Sequence, residues 1–239
     1  MTSERASLLI ADISGYTEYM SSHRLTLAHA EVNTARILES MIRAAPGFDL
    51  IEIEGDAAFL SRRAGLREPD TTLTEILQTS TAMHRAFHVE RQYVATNLCP
   101  CAGCREAGNL KVKFVAHVGE VAMQTIRGRT KLVGIDVILV HRLLKNTVPI
   151  SEYVLVTDDL RSTDESSLPQ PAHEISPDLE GIGPVKAYFV DVASLDGTLP
   201  PPPTPSWGRR LQNTVAAAGQ GLPYMVGLKK TGRRRRDMP

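Results

Sequence analysis

The sequence predicts an α+β domain of the ferredoxin-like class, in which a split βαβ sheet (βαββαβ) carries helices on one face. Three observations predict it. A short apolar run precedes a long stretch of helical periodicity, a period-two pattern around Gly55-Asp56 indicates a hairpin, and a second amphipathic helix precedes further strand-like runs. With 42% hydrophobic and 23% charged residues among 239, the chain can bury a core without disulfides.

The first strand and helix are predicted from the N-terminal part of the chain. Residues 8–11 form an apolar run that ends at a turn-prone segment, as expected of a buried strand. Apolar residues then recur at helical spacing over residues 16–45, and Pro46-Gly47 ends the pattern. We therefore expect the first strand to lead into one long helix.

A β-hairpin is predicted over residues 50–60, because the sequence alternates with period two on either side of Gly55-Asp56. Asp70 has the position of an N-cap for a second helix. One face of that helix is formed by Leu73, Ile76, Leu77, Met83 and Phe87.

The sequence pattern over residues 111–192 predicts mainly strands. We expect two short strands over residues 111–117 and 120–126, joined by a tight turn at Val118-Gly119. The other elements that periodicity predicts are a helix over 135–144 and strands over 153–157 and 186–192.

The last 40 residues differ from the body in composition and charge. Four consecutive prolines at 200–203 cannot enter a sheet, so we predict a domain over residues 1–199, with a Cys-rich loop at 97–109, and a Pro-rich linker and basic, disordered tail over 200–239. Eight Lys or Arg and one acid lie from Pro205 to Pro239, whereas the preceding body has 19 basic and 26 acidic residues. The tail could contact an anionic membrane surface, and the acidic body argues against nucleic acid on the main domain.

The sequence predicts a cytoplasmic protein. No apolar run approaches the ~20 residues of a membrane span, and Asp12 interrupts the first apolar stretch, which no secretory signal core would tolerate. The three cysteines lie within six positions of one another. An odd number of cysteines without a signal favours a reducing compartment.

Two aspartates are candidate metal ligands. Asp12 ends the first strand and Asp56 lies in the hairpin turn, and in a split βαβ sheet these two strand ends are neighbours. Paired carboxylates suit Mg²⁺ or Mn²⁺ together with phosphate oxygens, and residues 13–17 could turn backbone N–H groups toward an anion. The alternative is that Asp12 caps the helix and Asp56 fills a Gly-Asp turn.

Four segments together resemble the catalytic domains of class III nucleotidyl cyclases, the adenylyl and guanylyl cyclases. They are residues 11–17 (ADISGYT), 53–57 (IEGDA), 117–121 (HVGEV) and 134–142, in the family's order and at similar spacing. The resemblance covers roughly residues 8–192 and implies a cyclase-type elaboration at the C-terminal side of the sheet. It also implies a nucleoside triphosphate, ATP or GTP, bound in a homodimer whose active site forms between the subunits.

The resemblance assigns roles to particular residues. Asp12 and Asp56 would bind two metal ions that activate the ribose 3′-hydroxyl and hold the triphosphate while pyrophosphate leaves. Arg142 matches the arginine that stabilises the transition state. The segment that would lie near the phosphates consists of Ile13, Gly15, Tyr16 and Thr17.

Two departures from the family pattern weaken the expected chemistry. Ile138 stands where the family has an asparagine, and Ile182 stands where it has a triphosphate-binding lysine, with Lys186 nearby on the following strand. Losing one such contact costs ~10²–10³ in rate. Two functions therefore stay open: a weak or unusual nucleotidyl cyclase, which would be a phosphorus-oxygen lyase, or a catalytically silent nucleotide-sensing or protein-interaction module.

We expect Glu52 and Lys131 to decide whether the site favours guanine or adenine. A carboxylate accepts the N1–H and N2–H₂ groups of guanine and offers adenine N1 no donor, so Glu52 favours guanine. Lys131 aligns with the family's second specificity position, where it could donate to guanine O6 or pair with Glu52. The alternative is that Glu52 is a solvated residue on the outer face of its strand.

The cysteines form a C-x-C-x-x-C pattern in the loop after the second helix. Cys99, Cys101 and Cys104 could hold a structural Zn²⁺ with His88 or His84 as the fourth ligand. Reduced free thiols, or iron–sulfur or redox chemistry, are the alternatives. We expect His117 to be a satisfied buried histidine without a catalytic role.

Overall fold

The computed structural model describes residues 3–22, 27–63, 73–98, 101–163, 168–169 and 171–196, together with 207–208, 210–212 and 215. Within these residues the elements, in chain order, are β1 (Ser3–Ser14), α1 (Tyr16–Ser22), α2 (Leu27–Arg43), β2 (Asp49–Glu54), β3 (Ala57–Arg63), α3 (Leu73–Asn97), α4 (Ala102–Glu106), β4 (Lys111–Ile126), β5 (Arg129–Val133), α5 (Ile135–Leu143), β6 (Tyr153–Thr157), α6 (Asp158–Arg161), β7 (Ala172–Ile175), β8 (Asp178–Leu179), β9 (Gly183–Pro184), β10 (Ala187–Asp191) and α7 (Val192–Asp196).

The βαββαβ core is the first half of one mixed sheet. The strand order is β2-β3-β1-β4-β6-β10-β7, and β5 pairs with β4 beside this path. β1 lies between β3 and β4 and is antiparallel to both, which is the split βαβ arrangement. The C-terminal strands extend the sheet from β4, to which β6 is parallel. The ferredoxin-like prediction is confirmed.

The two faces of the sheet carry different helices. Alternation along β1 directs Leu9 and Ala11 into the core beneath α2 and α3, and directs Leu8 and Ile10 into a second core that α5 covers. The prediction that the helices lie on one face therefore holds for the βαββαβ core, whereas α5 lies on the other face. Both faces are buried, which explains the uninterrupted apolar run of the first strand.

The prediction of a turn at Val118-Gly119 is wrong. β4 is one continuous strand, and Gly119 pairs with Ala6 in the middle of the ladder with β1. The hairpin turn lies further on, at Arg127 and Gly128, which have φ values of 50° and 75° as a two-residue turn with both residues at positive φ requires. Gly119 is needed for a different reason: a Cβ there would overlap the Asp136 carboxylate of α5.

The helix predicted over residues 16–45 corresponds to two described elements, α1 and α2, and residues 23–26 between them lie outside the described residues. α1 ends at Ser22, whose hydroxyl donates to the Tyr19 carbonyl at 2.7 Å, and α2 begins at Leu27. The hairpin is confirmed, although β3 continues three residues beyond its predicted end, to Arg63. The helix over 135–144 and the strands over 153–157 and 186–192 are confirmed to within one residue.

Some predictions lie outside the described residues. They are the Asp70 cap, the proline linker and most of the basic tail. The strands β5, β7, β8 and β9 and the short helices α4, α6 and α7 were not predicted. None of the helices in the described part of the chain is long and apolar enough to span a membrane.

Candidate functional site

The two candidate metal ligands meet at one end of the sheet. Asp12 pairs with Ala57, the first residue of β3, and therefore lies beside the β2–β3 turn that carries Asp56. The Ile13 N–H donates to the Asp56 carbonyl at 3.3 Å and ties this turn to β1. The topology thus brings together two carboxylates that are 44 positions apart in sequence.

The electrostatics of this pair favour an added cation. Burial, and then the neighbouring Asp12 carboxylate, raise the pKa of Asp56, while Lys113 acts in the opposite direction. Lys113 Nζ lies 3.1 Å from Asp12 Oδ2 and also donates to the Leu144 carbonyl at 3.2 Å. One ammonium compensates two carboxylates only in part, and an all-oxygen donor set fits Mg²⁺ or Mn²⁺.

The segment after Asp12 forms a tight connection between β1 and α1. Gly15 has φ of 83°, a conformation that favours glycine, and its carbonyl accepts from Tyr19 N at 3.1 Å. Tyr16 begins α1 and Thr17 is exposed. Ile13 is buried in the core and its N–H is already used, so Gly15 to Thr17 are the part of the segment that remains accessible.

Arg142 lies on α5, on the same face of the sheet as Asp12. Its guanidinium packs beside Gly181, and its Nη1 is buried with no hydrogen-bond partner within the described residues. Ile138 is exposed, whereas Ile182 packs against the second core. Lys186 is paired with a glutamate of β7, Glu174, at 3.3 Å.

Glu52 and Lys131, the residues predicted to select the base, lie on β2 and β5, which contact each other. Glu52 is exposed on β2, and Lys131 lines a groove of about 230 Å³ between β2, β3 and β5 that Glu52 does not line. No ion pair joins Glu52 and Lys131 among the described residues.

A contact beside the site was not predicted. His141 Nε2 lies 3.3 Å from Glu54 Oε1, and the His141 ring packs edge-on against Phe59 at 4.9 Å. This contact fixes the end of β2 to α5 next to Arg142. The residues are 87 positions apart, and only the sheet topology reveals their proximity.

His117 is satisfied and buried, as expected. Its Nδ1 lies 2.8 Å from Thr157 Oγ1 and its Nε2 lies 3.1 Å from Asp136 Oδ1. The other oxygen of Asp136 accepts from Glu120 N at 2.7 Å. The histidine therefore anchors the start of α5 to β4.

The described cysteines have local structural partners. Cys101 is the N-cap of α4 and its sulfur accepts from Cys104 N at 3.3 Å. Cys104 is buried, and its sulfur accepts from Asn33 Nδ2 at 3.3 Å. Cys99 lies outside the described residues, and His88 contacts His84 and Glu152 instead of these sulfurs.

Comparison with solved structures identifies the fold. The adenylyl cyclase CyaB from P. aeruginosa superimposes with a TM-score of 0.52 at 16% identity, over 80% of this chain and 95% of that one. A bacterial light-regulated adenylyl cyclase gives 0.57 at 14% identity, over 81% and 93%. The guanylate cyclase domain of RhGC from Catenaria anguillulae, in complex with GTP, gives 0.53 at 14%, over 79% and 97%. The fold is that of class III cyclase catalytic domains.

Comparison of sequences identifies the family. The uncharacterized protein Rv2561/Rv2562 of Mycobacterium tuberculosis is 38% identical over 198 residues, which are 82% of this chain and 90% of that protein. The family model described as "Protein of unknown function (DUF2652)" matches residues 34–153. This chain therefore belongs to the DUF2652 family.

Proposed function

We propose that this protein binds a nucleoside triphosphate with Mg²⁺ or Mn²⁺ at Asp12 and Asp56, in a homodimer, as a divergent nucleotidyl cyclase with weak or unusual activity. The observation that carries the proposal is the convergence of these two carboxylates, where burial and Asp12 raise the pKa of Asp56. A divalent cation would relieve their repulsion and bridge them to phosphate oxygens.

Each residue of the site has a part in this chemistry. Asp12 and Asp56 would hold the metal, which polarises phosphate oxygens and the attacking hydroxyl when bound. Lys113 holds the Asp12 carboxylate in place at 3.1 Å. Arg142 would donate to a phosphate oxygen, since its Nη1 has no hydrogen-bond partner among the described residues.

The homodimer is supported by the face of α5 that surrounds Arg142. Ile135 and Ile138 are 56% and 48% exposed on this short helix. Exposed large apolar residues next to a candidate site are typical of an interface. The superimposed cyclases show the fold alone, so the dimer is part of the proposal.

The second candidate is a nucleotide-binding module without turnover. It is favoured by Ile138 and Ile182, which can donate no hydrogen bond to ribose or phosphate, and by the engagement of Lys186 with β7. Each absent contact lowers the rate by ~10²–10³. Both candidates require metal-dependent nucleotide binding, and only the first requires a cyclic product.

The test measures binding and turnover on the same preparation. Purified full-length protein is incubated with Mn²⁺ and ATP or GTP, with calorimetry for binding and mass spectrometry for cyclic nucleotide. We expect both signals to be lost in Asp56→Asn and kept in Asp49→Asn, a matched variant of an exposed carboxylate on β2. Binding without product selects the second candidate, and no binding by the wild-type protein contradicts both.

A further inference from the structure

A cluster of two histidines and one glutamate lies apart from the candidate nucleotide site. His84 and His88 are one turn apart on α3, and Glu152 immediately precedes β6. Residues four apart on a helix share a face, so both imidazoles point toward Glu152. The side chains of His84, His88 and Glu152 are 1%, 9% and 15% exposed.

The three ligand atoms have the spacing of a metal coordination shell. His88 Nε2 lies 2.9 Å from His84 Nε2 and 2.9 Å from Glu152 Oε1, and the remaining pair is 3.8 Å apart. Tetrahedral Zn²⁺ with bonds of about 2.0–2.1 Å separates its ligand atoms by roughly 3.3 Å. The mean separation in this cluster is close to that value, so a cation would require only small adjustments.

Hydrogen bonds alone do not satisfy all three ligand atoms of this cluster well. A neutral imidazole at His88 has one N–H. If that proton is on Nε2, it must serve two acceptors, His84 Nε2 and Glu152 Oε1. A metal ion would instead accept a lone pair from all three atoms.

The surroundings define the expected affinity. Val112 N donates to Glu152 Oε1 at 3.3 Å and orients the carboxylate, while Lys111 Nζ lies 3.9 Å from Oε2. Arg91 is also near Glu152, with its Nη1 donating to the Leu110 carbonyl at 2.7 Å. These two cations compete with a metal, and His88 Nδ1 has no partner within the described residues, so we expect moderate affinity.

We propose that His84, His88 and Glu152 form a Zn²⁺ site that ties α3 to the start of β6, with a fourth position for water. Two imidazoles and a carboxylate favour zinc over the hard cations that suit Asp12 and Asp56. Val112 lies opposite Ile13 in the sheet, so this site is at the same end of the sheet as Asp12 but on the face that α3 covers. It does not depend on nucleotide binding.

The test titrates chelator-treated full-length protein with Co²⁺ and then with Zn²⁺. We expect one equivalent of Co²⁺ to give visible d–d absorption without a thiolate-to-cobalt charge-transfer band, and Zn²⁺ to displace it. Zinc at a hundred times its Kd should raise Tm by about 5–10 °C. Both effects should be lost in Glu152→Gln and His88→Gln and kept in His173→Gln, a histidine that is exposed on β7.

Further variants separate this site from the other two candidates. Cys101→Ser with Cys104→Ser, and separately Asp56→Asn, should leave the cobalt spectrum unchanged. Circular dichroism checks that Glu152→Gln is folded, and the chelator experiment on the wild-type protein needs no variant. A thiolate band that the serine variants remove, an unchanged response in Glu152→Gln, or a folded wild-type protein without any response would overturn the proposal.

Discussion

Asp56 shows the tension between binding chemistry and stability at a single residue. Its pKa is raised by burial and by Asp12, so its negative charge is unfavourable in the folded protein without a bound cation. Residues selected for a binding site commonly have such a stability cost. A carboxylate used only to fill the β2–β3 turn would have no reason to face a second carboxylate.

We predict that Asp56→Asn stabilises the metal-free protein. Removing one of the two like charges should raise the free energy of unfolding by about 0.5 kcal/mol, a value reduced for the partial exposure of the site. For a domain of this size Tm then rises by about 1–2 °C at neutral pH. Differential scanning calorimetry of both proteins in the presence of a chelator measures this rise in Tm.

The control for this prediction is Asp49→Asn, on the same strand pair but far from Asp12, which should leave Tm unchanged. A lower Tm for Asp56→Asn would mean that the ionised carboxylate supports the turn. The structural interpretation of Asp56 would then replace the metal-binding one.

Two elements show where reasoning from the sequence succeeds and where it fails: the β2–β3 hairpin and the strand β4. The β2–β3 hairpin was predicted correctly because Gly55-Asp56 interrupts a clear alternation, and Gly55 does have positive φ, at 67°. Gly119 also looked like a turn residue. Its role depends on Asp136, 17 positions away, and no local pattern records that contact.

We predict that Gly119→Ala destabilises the domain by about 2–3 kcal/mol. The added methyl group would displace the Asp136 carboxylate, which accepts from Glu120 N at 2.7 Å and contacts His117 at 3.1 Å. Thermal unfolding should show a Tm lower by about 4–12 °C.

Gly47→Ala is the matched control, because a Cβ there makes only an ordinary contact with Arg62, at 3.7 Å. If Gly119→Ala unfolded at the wild-type temperature, Asp136 would be able to move without loss. The anchoring of α5 by His117 would then contribute little.

Long-range contacts limit the prediction of the candidate sites from the sequence in the same way. Asp12 and Asp56 could be predicted because the split βαβ topology makes their strand ends neighbours. Glu152 could not be paired with His88 from the sequence, because 64 positions and four further elements, α4, β4, β5 and α5, separate them. The sequence does show a pair of histidines at i and i+4 on α3, but this pattern identifies only two of the three ligands.

At the scale of the whole molecule, the proposed activity depends on a second copy of the chain. We predict that Ile138→Asp on α5 weakens self-association by about tenfold or more, since burying an aspartate in an apolar interface is costly. Analytical ultracentrifugation measures it. Val89→Asp, at a site of similar exposure on α3, should associate like the wild-type protein.

If both variants associate like the wild-type protein, α5 is not in the interface. If the wild-type protein is monomeric even with nucleotide and Mn²⁺, the homodimer is excluded. Arg142 would then have to act within its own subunit or not at all.

The length of β4 has a consequence for how related chains can differ. This strand carries Lys113 beside Asp12, Val112 beside Glu152, and His117 beside α5. Inserting or deleting one residue within it would exchange its two faces and separate all three contacts at once. We therefore expect changes of chain length in this region to accumulate at Arg127-Gly128, where the turn meets solvent, and to be absent from residues 111–119.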